Sequence, residues 1–114
     1  MTCAHLSQIR PVQPSSNGCE ECAKDGIQWV ELRLCLTCGY VGCCNASVGR
    51  HAQAHHLETG HSIVRAFRTG EDWAWCMEDG SYVDLEAIDQ AMQAAMRHER
   101  LTRMQQHAKY FRFF

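Results

Sequence analysis

Apolar and polar positions alternate along this chain in several distinct ways. Residues 11–18, Pro-Val-Gln-Pro-Ser-Ser-Asn-Gly, have the composition of a loop. Residues 28–34 set Gln28, Val30, Leu32 and Leu34 against Trp29, Glu31 and Arg33, the alternation of a short half-buried strand. Residues 48–57 are good helix formers without proline, and Gly60 follows as a stop, which predicts a short helix. Residues 62–67 and 73–77 are β-branched or aromatic runs separated by the turn Arg68-Thr69-Gly70-Glu71-Asp72, so they predict paired strands, with a further strand at 81–83.

The last segment differs in kind. Asp84 is a suitable N-cap, Glu86 and Asp89 follow in the first turns, and Arg97, Arg100 and Arg103 come later, the order a helix dipole favours. Leu85, Ile88, Met92 and Ala95 form an apolar stripe, which Leu101, Met104, Ala108 and Phe111 continue after a shift of phase. The expectation is one long helix over 84–110, bent near His98, with its stripe packed on the rest of the chain or on a partner helix. Together these elements predict an α+β fold. Residues 1–83 form a small domain with a short antiparallel sheet and one short helix, and residues 84–114 form a C-terminal helix and tail.

Composition then poses a problem for that fold. The 114 residues include only 21 Leu, Val, Ile and Phe, which is little apolar mass for a packed core, while Cys numbers 8 and His 7. No apolar run approaches the ~20 residues of a membrane span. Residues 1–10 lack the cationic stretch and apolar block of a secretory signal. A cytoplasmic, reducing setting is therefore expected, in which thiols stay free and Cys mixed with His points to metal. Charge is split as well. Residues 1–96 carry 6 basic and 12 acidic groups, and residues 97–114 carry 5 basic and 1 acidic.

The candidate ligands run Cys3-x-His5, Cys19-x-x-Cys22, Cys35-x-x-Cys38, Cys43-Cys44, His51, His55, His61 and Cys76-x-x-Asp79. A C-x-x-C turn holds two thiolates at the spacing of two corners of a zinc tetrahedron, and two such pairs in one short chain are a strong signal. His51 and His55 are four apart, so they leave one helix face together. Thiolate with imidazole selects zinc over calcium or magnesium. Taking Cys43 and leaving Cys44 over, 7 Cys, 4 His and 1 Asp make twelve ligands, which fills three four-coordinate sites. His56, His98 and His107 remain as solvent-facing or locally bonded residues.

Order and spacing resemble the UBP-type zinc finger, found in ubiquitin-specific proteases and in a histone deacetylase, across roughly residues 3–83. The matching stretches are Cys35-Leu-Thr-Cys38-Gly-Tyr-Val-Gly-Cys43, His51-Ala-Gln-Ala-His55-His56, Thr59-Gly60-His61 and Trp75-Cys76. The resemblance implies one site of Cys19, Cys22, Cys43 and His51, a second of Cys35, Cys38, His55 and His61, and a third of Cys3, His5, Cys76 and Asp79. Asp79 stands where better-known members carry Cys, which makes the third site the weakest. Many members bind the free Gly-Gly tail of ubiquitin, using an Arg and aromatic walls. Here Trp75 and Tyr82 match pocket aromatics, but Cys43-Cys44-Asn45 lacks the usual Arg, and Arg33 replaces a usual Trp. Small stand-alone bacterial members are similar to this short chain. The implied pocket residues are Arg33, Asn45, Trp75 and Tyr82, and the implied partner is a protein or peptide tail.

Catalysis is disfavoured by the same residues. A metalloprotease needs His-Glu-x-x-His, and Ala52 occupies the position of the general base. Closed, thiolate-rich sites are structural, and no βαβ setting supports a thioredoxin-like pair. The competing binding function is nucleic acid at the basic tail with Tyr110, Phe111, Phe113 and Phe114, against which the acidic body weighs. That tail is better suited to docking or dimerisation.

Overall fold

The computed structural model describes residues 3–111, and the side chains of residues 3–105. The side chains of His107, Ala108, Tyr110, Phe111, Phe113 and Phe114, on which the extended stripe and the aromatic tail rest, lie outside that description. A 3₁₀ turn at Ala4–Gln8 comes first, followed by α1 (Glu20–Asp25), β1 (Leu32–Cys35), β2 (Val41–Cys43), α2 (His51–Thr59), β3 (Ile63–Phe67), β4 (Ala74–Cys76), β5 (Ser81–Val83) and α3 (Leu85–Phe111). The strands form one antiparallel sheet in the order β2-β1-β3-β4-β5.

The fold is α+β, with short helices, a five-stranded antiparallel sheet and one long terminal helix. Two boundaries differ from the pattern in the sequence. The strand expected over 28–34 begins only at Leu32, because Trp29 and Val30 face solvent and the Val30 N–H donates to Ser47 Oγ at 2.8 Å. The helix expected from residue 48 begins at His51, because Arg50 before it has a left-handed backbone with φ 45°. Its end falls as expected. Gly60 takes φ 77° and its N–H closes on the His56 carbonyl at 2.8 Å. The α3 helix is continuous through His98, and the Glu86 N–H donates to Asp84 Oδ1 at 3.2 Å, the cap its sequence predicts.

Register sorts the sheet into two faces. Leu34, Arg65, Ala74 and Val83 lie across from one another, with Ile63 and Cys76 on the same side. On this face Ile63, Ala74, Cys76 and Val83 pack with Ile9, Leu36 and Ile88 as the main core, and the partly buried Leu6, Leu85 and Met92 close its margin. Arg65 leaves it at the edge through a two-pronged bond to Asp72, at 2.8 and 2.9 Å. The opposite face carries Arg33, Val64, Trp75 and Tyr82. Here α2 sits directly on β2, and an added Cβ at Gly42 would lie 2.6 Å from the Ala52 amide nitrogen. Glycine is required there for the helix and the strand to touch.

A second, smaller core contains Cys19, Cys22, Leu32, Val41 and Cys43. Three of its five members are thiols. Apolar burial is thus supplemented by cysteine where Leu and Ile run out.

Candidate metal centres and the adjoining cleft

Three helical starts in this chain are capped by sulfur. The Cys19 side chain accepts the Cys22 N–H at the head of α1, and the Cys3 side chain accepts the His5 N–H at the head of the 3₁₀ turn. The α2 helix has no capping bond from Arg50, and its first amide, His51 N–H, donates to Cys43 Sγ at 3.2 Å. A thiolate at a helix N-terminus satisfies an orphan amide and meets the positive end of the dipole. The α1 helix therefore starts without the Ser, Thr, Asp or Asn cap that marks a helix start in a sequence. Capping by sulfur also ties each helix start to a cluster of ligating atoms.

The structure brings the twelve candidate ligands into three groups of four, each with its donor atoms within 4.8 Å of one another. In the first, His51 Nδ1 lies 3.2 Å from Cys19 Sγ and 3.3 Å from both Cys22 Sγ and Cys43 Sγ. A tetrahedral zinc with bonds of ~2.3 Å to sulfur and ~2.0 Å to nitrogen separates such ligands by roughly 3.5 Å. All three thiols are buried. Without a cation, burial, followed by the neighbouring Cys19 and Cys43, pushes the Cys22 thiol up to about 12.

The second group joins the end of β1 and the β1–β2 turn to α2 and to His61, two residues after that helix. Cys35 Sγ is 3.6 Å from His61 Nδ1, and Cys38 Sγ is 3.3 Å from His55 Nε2. The two ring nitrogens are also 3.3 Å apart, the separation that two nitrogens on one tetrahedral zinc require to within a few tenths of an ångström. The His55 ring stacks on Tyr40 with centroids 4.3 Å apart, which fixes its orientation. Burial, then the neighbouring His61, lowers the His55 pKa and so favours the neutral imidazole, the form that ligates metal.

The third group ties the chain start to the β4–β5 hairpin. His5 Nδ1 lies 3.7 Å from Cys3 Sγ, 3.4 Å from Cys76 Sγ and 3.5 Å from Asp79 Oδ1. The turn Cys76-Met77-Glu78-Asp79-Gly80 repeats the geometry of Cys35-Leu36-Thr37-Cys38-Gly39. In both, the glycine has positive φ and its N–H closes on the first cysteine's carbonyl at 2.9 Å. Asp79 thus occupies the position in its turn that Cys38 occupies in the other. It is exposed, whereas Cys76 is buried. Each of the three Cys/His-rich groups can hold a zinc ion.

The remaining residues fall outside these groups. Cys44 is buried beside Cys43 and pairs with Ser47 Oγ at 3.5 Å. Burial pushes its thiol up, but hydrogen bonds from the Ser47 hydroxyl and from nearby backbone amides together hold it below the ordinary thiol value. The His56 Nδ1–H donates to the His61 carbonyl at 2.9 Å, and Nε2 of the same ring faces Glu78 Oε2 at 3.4 Å. His98 is exposed.

Between α2 and the second sheet face lies a cleft of about 520 Å³, a size typical of small-ligand sites. Arg33, Asn45, Trp75 and Tyr82 all line it, together with Trp73, which the sequence pattern did not single out. Tyr82 meets Trp73 and Trp75 edge-on, with centroids 5.9 and 4.9 Å away. The Arg33 guanidinium lies over the Trp73 ring and bonds to Glu31 Oε2 at 3.3 Å. Among the described residues, no acidic side chain lines the cleft. Trp73, the residue before β4, could have been found from its alternation with Trp75, but nothing local indicates that Arg33 would reach across β3 to it.

A family pattern described as "Zn-finger in ubiquitin-hydrolases and other protein" matches residues 19–88. BRCA1-associated protein from mouse and from human each align at 35% identity over 71 residues, which is 62% of this chain and 11% of theirs. The chain therefore spans about a tenth of the length of those curated relatives. A protein from Rhodopseudomonas palustris, solved in solution by NMR, is 47% identical, with a TM-score of 0.69 over 81% of this chain and 88% of that one.

Proposed function

The chain belongs to the family of zinc fingers of ubiquitin-hydrolases and other proteins, and from this we propose that it is a non-catalytic recognition module built on three structural zincs. In this reading Cys19, Cys22, Cys43 and His51 hold one ion. Cys35, Cys38, His55 and His61 hold the second, and Cys3, His5, Cys76 and Asp79 the third. Structural zinc in small fingers contributes on the order of 10 kcal/mol of apparent binding energy per site, which offsets a sparse apolar core. Residues 1–83 are the zinc module, and the helix that follows covers one sheet face. The absence of a base beside His51 supports a role without catalysis.

The cleft is where recognition takes place, and its carrying observation is Arg33 laid over Trp73 between aromatic walls with no lining carboxylate. A free C-terminal tail suits such a site. Its carboxylate pairs with the guanidinium and its flat backbone slides between the rings. Ubiquitin, named in the family description, is one protein with a tail to offer, and any partner ending in small residues is another.

Isothermal titration of the zinc-loaded chain tests the reading. The ligands are ubiquitin, ubiquitin lacking its last two glycines, and a short glycine-ended peptide with a free or an amidated C-terminus. Binding of the free carboxylate and loss with the amide is expected. Equal binding of both forms, or none by any ligand at millimolar concentration, refutes tail recognition here.

A further inference from the structure

The α3 helix runs past the body it packs on. Among its described side chains the last partly buried one is Ala95, and every side chain of residues 96–105 is exposed. The chain's radius of gyration is 16.6 Å, against about 13 Å for a compact domain of this length, because this helix projects. A bare helical segment this short is marginal in water, so cover for it stabilises the whole element. Among the exposed side chains are Met96, Leu101 and Met104, each at least 46% accessible.

Charge along α3 indicates what covers it. The half that packs on the body begins with Asp84, Glu86 and Asp89, and the overhang carries Arg97, Arg100 and Arg103 against the single acid Glu99. A parallel copy would place arginine beside arginine. An antiparallel copy places each basic overhang along the acidic half of the other. With a two-fold axis between Ala94 and Ala95, Asp89 comes level with Arg100 and Glu86 with Arg103. Leu101 then comes level with Ile88, flanked by Ala87 and Ala91, whose small side chains permit close approach. A groove lined by Leu6, Ile9, Ala91, Ala94 and Ala95 runs alongside.

We propose that the overhang of α3 is covered by the α3 of a second copy of this chain, in an antiparallel, two-fold symmetric pair. Such an interface is isologous, so each copy supplies the same acidic half and the same basic half. It leaves the cleft of the zinc module free on both copies, because the cleft opens on the opposite sheet face.

Analytical ultracentrifugation of the full zinc-loaded chain at low and high salt tests the pairing. The expected mass rises with concentration toward twice 13.0 kDa, and less so at high salt, where exposed charges are screened. Glu86→Lys with Asp89→Lys yields a monomer, as does Arg100→Glu with Arg103→Glu. An equal mixture of the two variants restores the dimer. In the first variant Arg65 loses its pair with Asp89, 3.8 Å away, but keeps its shorter bonds to Asp72, and circular dichroism with zinc content checks that each variant is folded. Leu101→Gln, at an exposed position, serves as an independent monomer-forming variant. A wild-type chain that stays monomeric at millimolar concentration in low salt overturns the proposal. So do charge-reversed variants that pair as well as wild type, a mixture that stays monomeric, or an overhang that binds nucleic acid as a monomer.

Discussion

The guanidinium carbon of Arg33 in β1 lies 4.3 Å from the centroid of Trp73, the residue before β4, on the far side of β3. The ring holds the long side chain flat across the cleft, and Glu31 Oε2 at 3.3 Å anchors its other edge, so little conformational freedom is left to lose on binding. Arg33→Ala is expected to weaken a carboxylate-ended ligand by about ten- to a hundredfold, the range of a hydrogen bond to a charged group. Trp73→Ala should act in the same direction by releasing Arg33. Zinc content measured by atomic absorption should stay at the wild-type value in both. Unchanged affinity in Arg33→Ala would place the ligand elsewhere.

The contact between Gly42 and α2 is backbone on backbone, so no side chain can swing aside. Gly42→Ala is expected to destabilise the fold by about 1–3 kcal/mol, the usual cost of overpacking. Because α2 carries His51 and His55, displacement should also lower zinc retention during chelator challenge. A variant with wild-type thermal midpoint and wild-type zinc off-rate would mean that the helix shifts freely on the sheet.

Zinc counting separates the residues around the third group from their neighbours. Native mass spectrometry should find three zincs per chain in the wild type and in Cys44→Ser, since Cys44 stands outside the groups of ligating atoms. Asp79→Ala should hold two. Asp79→Cys should hold three and release the third more slowly, because thiolate is the softer ligand. Loss of a zinc in Cys44→Ser would exchange the roles of Cys43 and Cys44.

Protons should leave as zinc enters. Burial first, then neighbouring groups, pushes the metal-free Cys3 thiol up to about 11 and Cys22 up to about 12, so both carry protons at neutral pH. Three cysteines in the first group and two in each of the others make seven thiols to ionise. Calorimetry in buffers of different ionisation enthalpy should therefore report a release approaching seven protons at full loading. The sign for stability follows. The zinc-loaded form binds fewer protons than the unfolded chain, so its stability falls as pH drops and returns as pH rises. Stability of the loaded protein that did not change on acidification would argue against thiolate ligation.

Much of the fold follows local rules and was legible from local pattern. Asp84 caps α3 because a carboxylate accepts the next amides wherever it precedes a helical run. Gly60 ends α2 because only glycine takes its backbone conformation without cost. The runs around Ile63, Ala74 and Val83 pair because their alternation leaves one apolar face. Other features were hidden for an equally physical reason. The α1 helix and the start of α2 are capped by sulfur, and a cysteine reads as a cap only when its thiol is free to accept and its group is assembled. The strand before Leu32 fails because Ser47, seventeen residues further on, takes the Val30 amide.

By itself, then, the sequence determined which side chains are suited to bind zinc, where the turns that present them fall, and the amphipathic order of charges along α3. Those properties depend on neighbours a few residues apart. No local rule brings Cys76 to His5, 71 positions away, and only the family resemblance implied it; only the tertiary structure decided that β1 lies between β2 and β3 and that Arg33 and Trp73 share a wall of one cleft. Those relationships depend on strand order and on the close seating of α2 at Gly42. They arise from long-range packing, in which each contact gains free energy only once the others have brought the chain together.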